Sequence, residues 1–531
     1  MRLESKILSI TLTVLVFLTS CQKEFLDRPP LSEINSENFY KTKEDLGLAT
    51  AALYAGSIWA PWTYSSYLPI GEVMSGNMAL NYNGDAIQLN SFSVTGYNNG
   101  LITNWSSMYN VVAHCNIVIN AIEKKAPSSI SAKDINAAIA EARFIRAYAY
   151  YNLALLWGDI PIIEDNSKLV QSPLIYRNQL NDVYQFIVND LTFAAMNLPE
   201  ISSADWTKGR VTTWSAQGLL SKVYLTWSGL GKSVGSRDQT LLDSAKFYAG
   251  NVCKNSGLEL MDNYADLFKV ENNDNPESLF ALEWVANTSG WMEGNMLQIY
   301  SPGGVEISAN GQAGWFAIAP TYDMYKQYSA KDSVRRKATF MLKGDYYPEL
   351  NAAGGGFSFT GNTGLKKHIV GTKEDNNAPT MTLTSSPEHN SLLRLADVYL
   401  VYAEAIMGNS TSTTDGDALL YFNKVRTRAG LEPLNMVEAD SLLKERRIEL
   451  AAEGQYWFDL VSLSYYNPSK AIDLLNGQDR VLFTVDGDGV VTPSDPLAEI
   501  TPATINSFRF PLPSSEVTAN PNLLKDPVPY Y

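Results

Sequence analysis

Histidine and cysteine are scarce in this chain of 531 residues, which contains three of each. So few nitrogen and sulfur ligands disfavour a zinc enzyme, an iron–sulfur protein and a disulfide-linked scaffold. Charged residues are also few, at 18% of the chain, and 41 basic residues against 56 acidic ones give a net charge of −15. A surface of that sign repels polyphosphate, so we expect no nucleic-acid partner.

Long apolar runs are lacking beyond the N-terminus, where no stretch reaches the roughly 18 residues that a membrane-spanning helix needs. The N-terminus itself carries Arg2 and Lys6 and then the apolar run 7–18, which is the pattern of a secretory signal peptide. The four residues that end at Cys21, Leu-Thr-Ser-Cys, resemble the lipobox of bacterial lipoproteins. We therefore expect residues 1–20 to be removed and Cys21 to be acylated, so that lipid alone anchors the protein.

Aromatic residues, by contrast, are abundant, with 11 Trp, 29 Tyr and 19 Phe. Aromatic rings fill protein cores, but they also form flat platforms for ligands, so their positions decide their meaning. Aromatic residues on predicted helices are expected to fill the core, whereas those in predicted loops are candidates for ligand binding.

Apolar residues recur at helical spacing over much of the chain. In 134–157, for example, Ala142, Ile145, Ala149 and Leu153 fall three or four residues apart, which indicates one buried helix face. Small alanines on such faces allow close helix approach, as in tetratricopeptide-like hairpins. The predicted helices are 43–58, 105–124, 134–157, 179–197, 213–227, 239–256, 391–407, 416–429 and 438–452. The predicted hairpins are 134–157 with 179–197, 213–227 with 239–256, and 391–407 with 416–429.

Three regions lack this periodicity and are rich in Gly, Asn, Ser and Pro. They are 59–104, 258–390 and 463–531, and one buried strand is predicted within the second, over 278–285. Loops this long inside a folded chain are usually functional. The predicted fold is therefore mostly α, a helical scaffold with long irregular loops and a few short strands. Its parts are a lipidated tether 21–30 and a single domain 31–531, made of scaffold 31–58, 105–257 and 391–462, loop regions 59–104 and 258–390, and a C-terminal irregular region 463–531.

The two loop regions contain the best candidates for a ligand-binding site. A sugar ring presents apolar C–H faces that pack on Trp or Tyr, while its hydroxyl groups need polar partners such as Asn. The alternative interpretation is that these aromatic side chains attach the loops to the helices. The predicted ligand-binding residues, in order of preference, are Trp291, Trp315, Trp62, Tyr64 and Trp59, with Asn81, Tyr82 and Tyr300 beside them.

Charged residues cluster in 445–449, where Glu445 and Glu449 lie four apart on one helix face. They resemble an acid–base pair, but we interpret them as charges that fix helix packing and connect to Asp459. The chain shows no nucleophile motif, and its three histidines are not at ligand spacing, so we assign no catalytic residue, metal ligand or cofactor. Acidic turn chemistry accounts for the Asp-Gly-Asp stretches better than calcium binding does.

Several phrases resemble the SusD/RagB family of Bacteroidetes nutrient-binding lipoproteins. They follow the order of that family along nearly the whole mature chain, behind the lipobox. They are EARFIRAYAYY (141–151), WGDIP (157–161), YADLF (264–268), RLADVYLVYAEA (394–405), NKVRTRAG (423–430), ERRIEL (445–450), FDL (458–460) and FPLP (510–513).

The resemblance implies a function as well as a SusD-like fold. Members capture oligosaccharides, or in some cases peptides, and cover a SusC-like TonB-dependent β-barrel transporter that imports the ligand. They are binding proteins and not enzymes. The expectation is thus a lipid-anchored outer-membrane protein that faces the cell exterior and binds a glycan. Alternatives are a peptide-binding member of the same family, a surface glycosidase and a helical-repeat assembly protein.

Overall fold

The chain is mostly helical, as predicted. The computed structural model describes residues 39–80, 83–286, 290–308 and 317–531. Within these ranges, no helix is long and apolar enough to cross a membrane.

Nine α-helices of the described residues precede the long second loop region. They are α1 (Lys43–Ala51), α2 (Gly56–Trp62), α3 (Gly84–Asn90), α4 (Asn99–Lys125), α5 (Ala132–Trp157), α6 (Ser167–Gln171), α7 (Leu180–Asn197), α8 (Thr213–Trp227) and α9 (Gln239–Asn255). The helices that follow are α10 (Tyr322–Gln327), α11 (Ser333–Thr339), α12 (Lys373–Asn376), α13 (Leu395–Met407), α14 (Gly416–Arg428), α15 (Ala439–Glu449), α16 (Tyr456–Tyr466), α17 (Pro468–Asn476) and α18 (Ser514–Ala519).

The three predicted hairpins are present. Helix α5 packs on α7, α8 on α9, and α13 on α14, while α7–α8 and α9–α13 contacts join the pairs into one array. Small residues allow these contacts. A Cβ atom at Gly250 of α9 would lie 3.1 Å from the ring of Tyr402 on α13, closer than most packed side chains come. The array is therefore the tetratricopeptide-like scaffold that the alanine pattern predicted.

Short strands pair two by two and fasten the loops. They are β1 (Met78–Ala79) with β3 (Ala319–Pro320), β2 (Ser278–Leu282) with β8 (Asn390–Arg394), β4 (Phe340–Leu342) with β7 (Thr363–Leu365), β5 (Tyr346–Tyr347) with β6 (Phe357–Ser358), β9 (Ser412–Thr413) with β10 (Val437–Glu438), and β11 (Phe483–Val485) with β12 (Val491–Pro493). All six pairs are antiparallel.

Several predicted boundaries are wrong. The predicted helix 43–58 is interrupted between Ala51 and Gly56, and the predicted helix 105–124 begins already at Asn99. One strand pair explains two further differences. The predicted strand 278–285 ends at Leu282, and the predicted helix 391–407 begins only at Leu395. Residues 390–394 instead form β8, which lies antiparallel to β2. The pairing joins residues more than 100 positions apart in the chain, which local periodicity cannot reveal.

The charged cluster is part of the core. Glu449, fully buried, accepts a hydrogen bond from Arg394 (2.7 Å) and another from Arg335 (3.1 Å). Burial alone would raise the pKa of Glu449, but Arg428, Arg394 and Arg335 lower it to about 2. Arg446 pairs with Asp459 at 2.8 Å, as expected. These ion pairs connect α11, β8, α14, α15 and α16, so the charges hold the scaffold together.

The acidic turns also act as predicted. Asp415 caps α14 by accepting a hydrogen bond from the Asp417 backbone at 2.9 Å. In the β11–β12 hairpin, a carboxylate oxygen of Asp486 accepts from the backbone N–H groups of Asp488 (2.9 Å) and Val490 (2.8 Å). Both Asp415 and Asp486 therefore close local turns.

Candidate ligand-binding surface

Three of the predicted aromatic residues meet at one surface, although they come from both loop regions. The ring centroids of Tyr64 and Trp291 lie 5.3 Å apart, edge to face. Those of Tyr64 and Tyr300 lie 5.9 Å apart, with the rings inclined by 20°. Both are favourable aromatic arrangements. The two regions that the sequence singled out, 59–104 and 258–390, thus converge on this cluster.

The three rings differ in their exposure to solvent. Trp291 is 46% exposed, Tyr64 is half-buried and Tyr300 is only 4% exposed. The hydroxyl of Tyr300 donates a hydrogen bond to the backbone carbonyl of Tyr64, and partial burial raises the pKa of Tyr64. Tyr300 and Tyr64 therefore support an indole that solvent reaches. An exposed aromatic ring on a supported base is what the apolar face of a sugar requires.

Tyr64 lies in an unusual stretch of backbone. Residues Thr63–Tyr67 and Pro69–Met74 form π-helical turns directly after α2. Such turns are rare and are frequently found at functional sites. Arg480, which is buried, closes the second turn by donating to the carbonyl groups of Val73 (2.8 Å) and Met74 (3.0 Å). Burial lowers the pKa of Arg480 to about 9.

The same stretch is fixed to the scaffold behind it. A Cβ atom at Gly71 would lie 2.3 Å from the Cα atom of Gly454, so glycine is needed for this backbone contact. The carboxylate of Glu72 accepts hydrogen bonds from the Gly454 backbone and from the Asn77 side chain, each at 2.8 Å. Glu72 is fully buried, and burial raises its pKa. The segment that carries Tyr64 is thus attached to Gly454 of the scaffold through Gly71 and Glu72.

The segment that carries Trp291 is held by amide side chains. Asn295 donates to the carbonyl of Glu388, and Gln298 donates to the carbonyl of Thr382, each at 2.7 Å. Sequence reasoning assigned these two amides no loop-fixing role, but both are buried and fix the loop. It also missed Met292, whose φ of 59° turns the chain directly after Trp291. Nothing in the sequence signals a left-handed methionine.

Trp59 and Trp62 do not belong to this surface. They are 1% and 2% exposed, and their rings pack against each other and against Tyr148. The indole N–H of Trp59 donates to the carbonyl of Leu53 at 2.8 Å. Neither ring offers a face to a ligand, so the ligand-binding prediction for these two residues is wrong. The alternative interpretation, that the rings attach the loop to the helices, applies to both.

The remaining predicted residues lie outside the described residues: Trp315, Asn81, Tyr82 and Cys21. Their roles stay predictions. The described backbone just before Asn81 and just after Trp315 does lead to the cluster. Ala79 of β1 pairs with Ala319 of β3, and the backbone N–H of Ile318 donates to the carbonyl of Tyr300 at 2.7 Å.

Three side chains that can ligate a metal also come together near the start of the Trp291 segment. Asp274, Glu283 and His389 each place one ligand atom within 4.8 Å of the others. They are far apart in the sequence, which explains why histidine spacing gave no sign of them.

Comparison with known proteins gives the family. A family model described as "SusD family" matches residues 276–531, and another, described as "Starch-binding associating with outer membrane", matches residues 24–225. A SusD-like protein of Bacteroides ovatus is 39% identical, over 99% of this chain and 98% of its own length. The chain belongs to the SusD family. The resemblance inferred from the sequence phrases is confirmed.

Solved structures agree with this assignment. A crystal structure with xylogluco-oligosaccharide is 38% identical, with a TM-score of 0.82, and the match covers 92% of this chain and 99% of that one. A SusD superfamily protein from Parabacteroides distasonis is 20% identical, with a TM-score of 0.69, over 90% of this chain and 98% of that one. The predicted SusD-like fold is therefore confirmed.

Proposed function

We propose that this SusD-family protein binds an extracellular oligosaccharide at the cell surface and delivers it to a SusC-like TonB-dependent outer-membrane transporter. The observation that carries the proposal is the exposed indole of Trp291, which packs on Tyr64, whose ring in turn stacks on Tyr300. The 38% identical structure with xylogluco-oligosaccharide supports a glycan as the ligand class.

The ligand surface that we propose is centred on Trp291 and Tyr64, with Tyr300 beneath them. Trp315, Asn81 and Tyr82, which lie outside the described residues, remain proposed ligand-binding residues from the sequence. A sugar ring packs its C–H face on the indole, and hydroxyl groups at the ring edge bond to amide and backbone groups. A shallow surface of this kind gives dissociation constants of about μM to mM, which permits release to a transporter.

We infer that the protein acts by reversible binding and not by hydrolysis. Glu445 and Glu449 most resemble an acid–base pair, but both are buried and paired with arginines. Membership in a family with a model described as starch-binding also supports the inference. Product analysis tests this inference. Incubation with a polysaccharide should leave its chain length unchanged, and release of short oligosaccharides would favour the glycosidase alternative.

We further infer that the chain is exported, loses residues 1–20 and is anchored through acylated Cys21, with 21–30 as a tether and 31–531 as one outward-facing domain. The family model that matches residues 24–225 is described as "associating with outer membrane", which supports an outer-membrane location. Replacement of Cys21 by Ala should move the protein from the membrane fraction to the soluble fraction. Unchanged membrane retention would contradict the anchor.

Calorimetric titration of the purified protein tests the ligand class. The panel contains xylogluco-, laminari- and malto-oligosaccharides of matched length and a mixture of short peptides. We expect at least one glycan to bind and the peptides to be silent. Binding of peptides alone would favour the peptide-binding alternative, and silence across the whole panel would contradict a nutrient-binding role. Co-purification with a large β-barrel protein then tests delivery.

A further inference from the structure

Asp274, Glu283 and His389 lie on three segments of the chain that hydrogen bonds hold next to one another. Leu282 and Asn390 form the last residue pair of β2 and β8, so Glu283 and His389 leave the sheet side by side. The third segment is tied to them by Asn273, whose side chain donates to the Pro387 carbonyl at 2.8 Å and accepts from the His389 backbone at 3.1 Å. The arrangement of the three side chains is thus set by backbone pairing.

Their polar atoms face one another, and among the described residues no hydrogen bond joins one of the three side chains to another. His389 Nδ1 lies 3.7 Å from Asp274 Oδ1, is buried and has no hydrogen-bond partner among the described residues. This unpartnered nitrogen faces the carboxylate oxygens of two side chains, an arrangement that a shared cation would satisfy.

Lys208 is a cationic side chain close to the cluster, but it pairs with only one of the two carboxylates. Lys208 Nζ lies 2.8 Å from Asp274 Oδ2, the oxygen that does not face His389. Glu283 forms no ion pair or hydrogen bond through its side chain within the described ranges, although its carboxylate faces the other two groups. The cluster therefore retains uncompensated negative charge and an unused nitrogen ligand.

We propose that Asp274, Glu283 and His389 bind a divalent transition-metal cation, with zinc as the best match. An imidazole nitrogen with carboxylate oxygens suits zinc, whereas calcium and magnesium prefer oxygen ligands alone. Asp274 and Glu283 are exposed, so water completes the coordination. Glu283 stands eight residues before Trp291, and a cation here would stabilise the start of the segment that carries the indole.

Zinc titration of the tag-free, EDTA-treated protein tests the proposal. We expect one zinc ion to bind per chain, with at least tenfold weaker binding after His389→Gln or Asp274→Asn. Replacement of the exposed His114 by Gln is the matched control and should change nothing. Lys208→Met should strengthen zinc binding several-fold, because it removes the cation that competes for Asp274. An unchanged affinity in the His389→Gln variant, or equal affinity for calcium, would overturn the assignment.

A measurement that leaves the three proposed ligands unchanged avoids any folding defect in their variants. The chain has only three histidines, so histidine-selective ¹⁵N labelling gives a spectrum with few signals. Zinc should shift the Nδ1 resonance of one histidine, and the signal that shifts should be one that persists in the His114→Gln protein. Zinc-induced shifts confined to His114, or absent altogether, would refute the site.

Discussion

Trp59 and Trp291 both lie in loop regions of the sequence, yet they have opposite environments. Trp59 is 1% exposed, with its indole N–H bonded to a backbone carbonyl, whereas Trp291 is 46% exposed. The difference arises from what covers each ring. Trp59 belongs to a short helix that packs on α4, but Trp291 stands at a left-handed turn above Tyr64. The same residue type thus fills the core in one place and presents an exposed ring in the other.

Replacement of Trp59 by Ala should have the largest effect on folding. Loss of a fully buried indole leaves a cavity and should lower the free energy of unfolding by about 3–5 kcal/mol. Urea denaturation measures this loss. Glycan affinity per folded molecule should stay the same, and a selective loss of affinity in a stably folded Trp59→Ala protein would break the contrast between the two tryptophans.

Acid should weaken the scaffold before it affects the ligand surface. The pKa of Glu449 is about 2 in the folded protein, below the usual value of 4.5. A carboxyl group with a lowered folded pKa stabilises the fold above the unfolded pKa, and this contribution is lost as the pH falls from about 4.5 towards 2. The loss should be about 3 kcal/mol. Unfolding free energies measured across this range should show a smaller pH slope for Glu449→Gln than for the natural chain.

Replacement of Trp291 by Ala should reverse the pattern seen for Trp59. The side chain is half exposed, so we expect little change in thermal stability, but about tenfold weaker glycan binding, or roughly 1.4 kcal/mol. Trp206→Ala is the matched control, since Trp206 is a partly exposed tryptophan outside both loop regions. Equal losses of affinity in the two variants would show that Trp291 has no special role.

The helical part of the fold could be predicted because its signals are local. Residues 134–157 carry alanines and leucines at helical spacing, and the observed helix is Ala132–Trp157. Strand β8 could not be predicted in this way, since its partner β2 lies more than 100 residues earlier. Phe510–Pro513 entered only through family resemblance, although the backbone N–H of Phe510 bonds to the Leu156 carbonyl and closes the scaffold.

The candidate site was predictable as two regions but not as a set of residues. Aromatic and amide composition identified 59–104 and 258–390, and these do meet at Tyr64 and Trp291. Composition could not tell which rings are covered, because burial depends on tertiary contacts that one sequence does not display. For the same reason Asn295 is a loop-fixing residue here, and the Asp274–Glu283–His389 group was invisible.

A crystal structure with the tightest-binding oligosaccharide of the panel tests the central claim most directly. We predict a sugar ring packed on the indole of Trp291, within contact distance of Tyr64, and no sugar near Trp59. A glycan bound elsewhere on the protein, with Trp291 still open to solvent, would contradict the account.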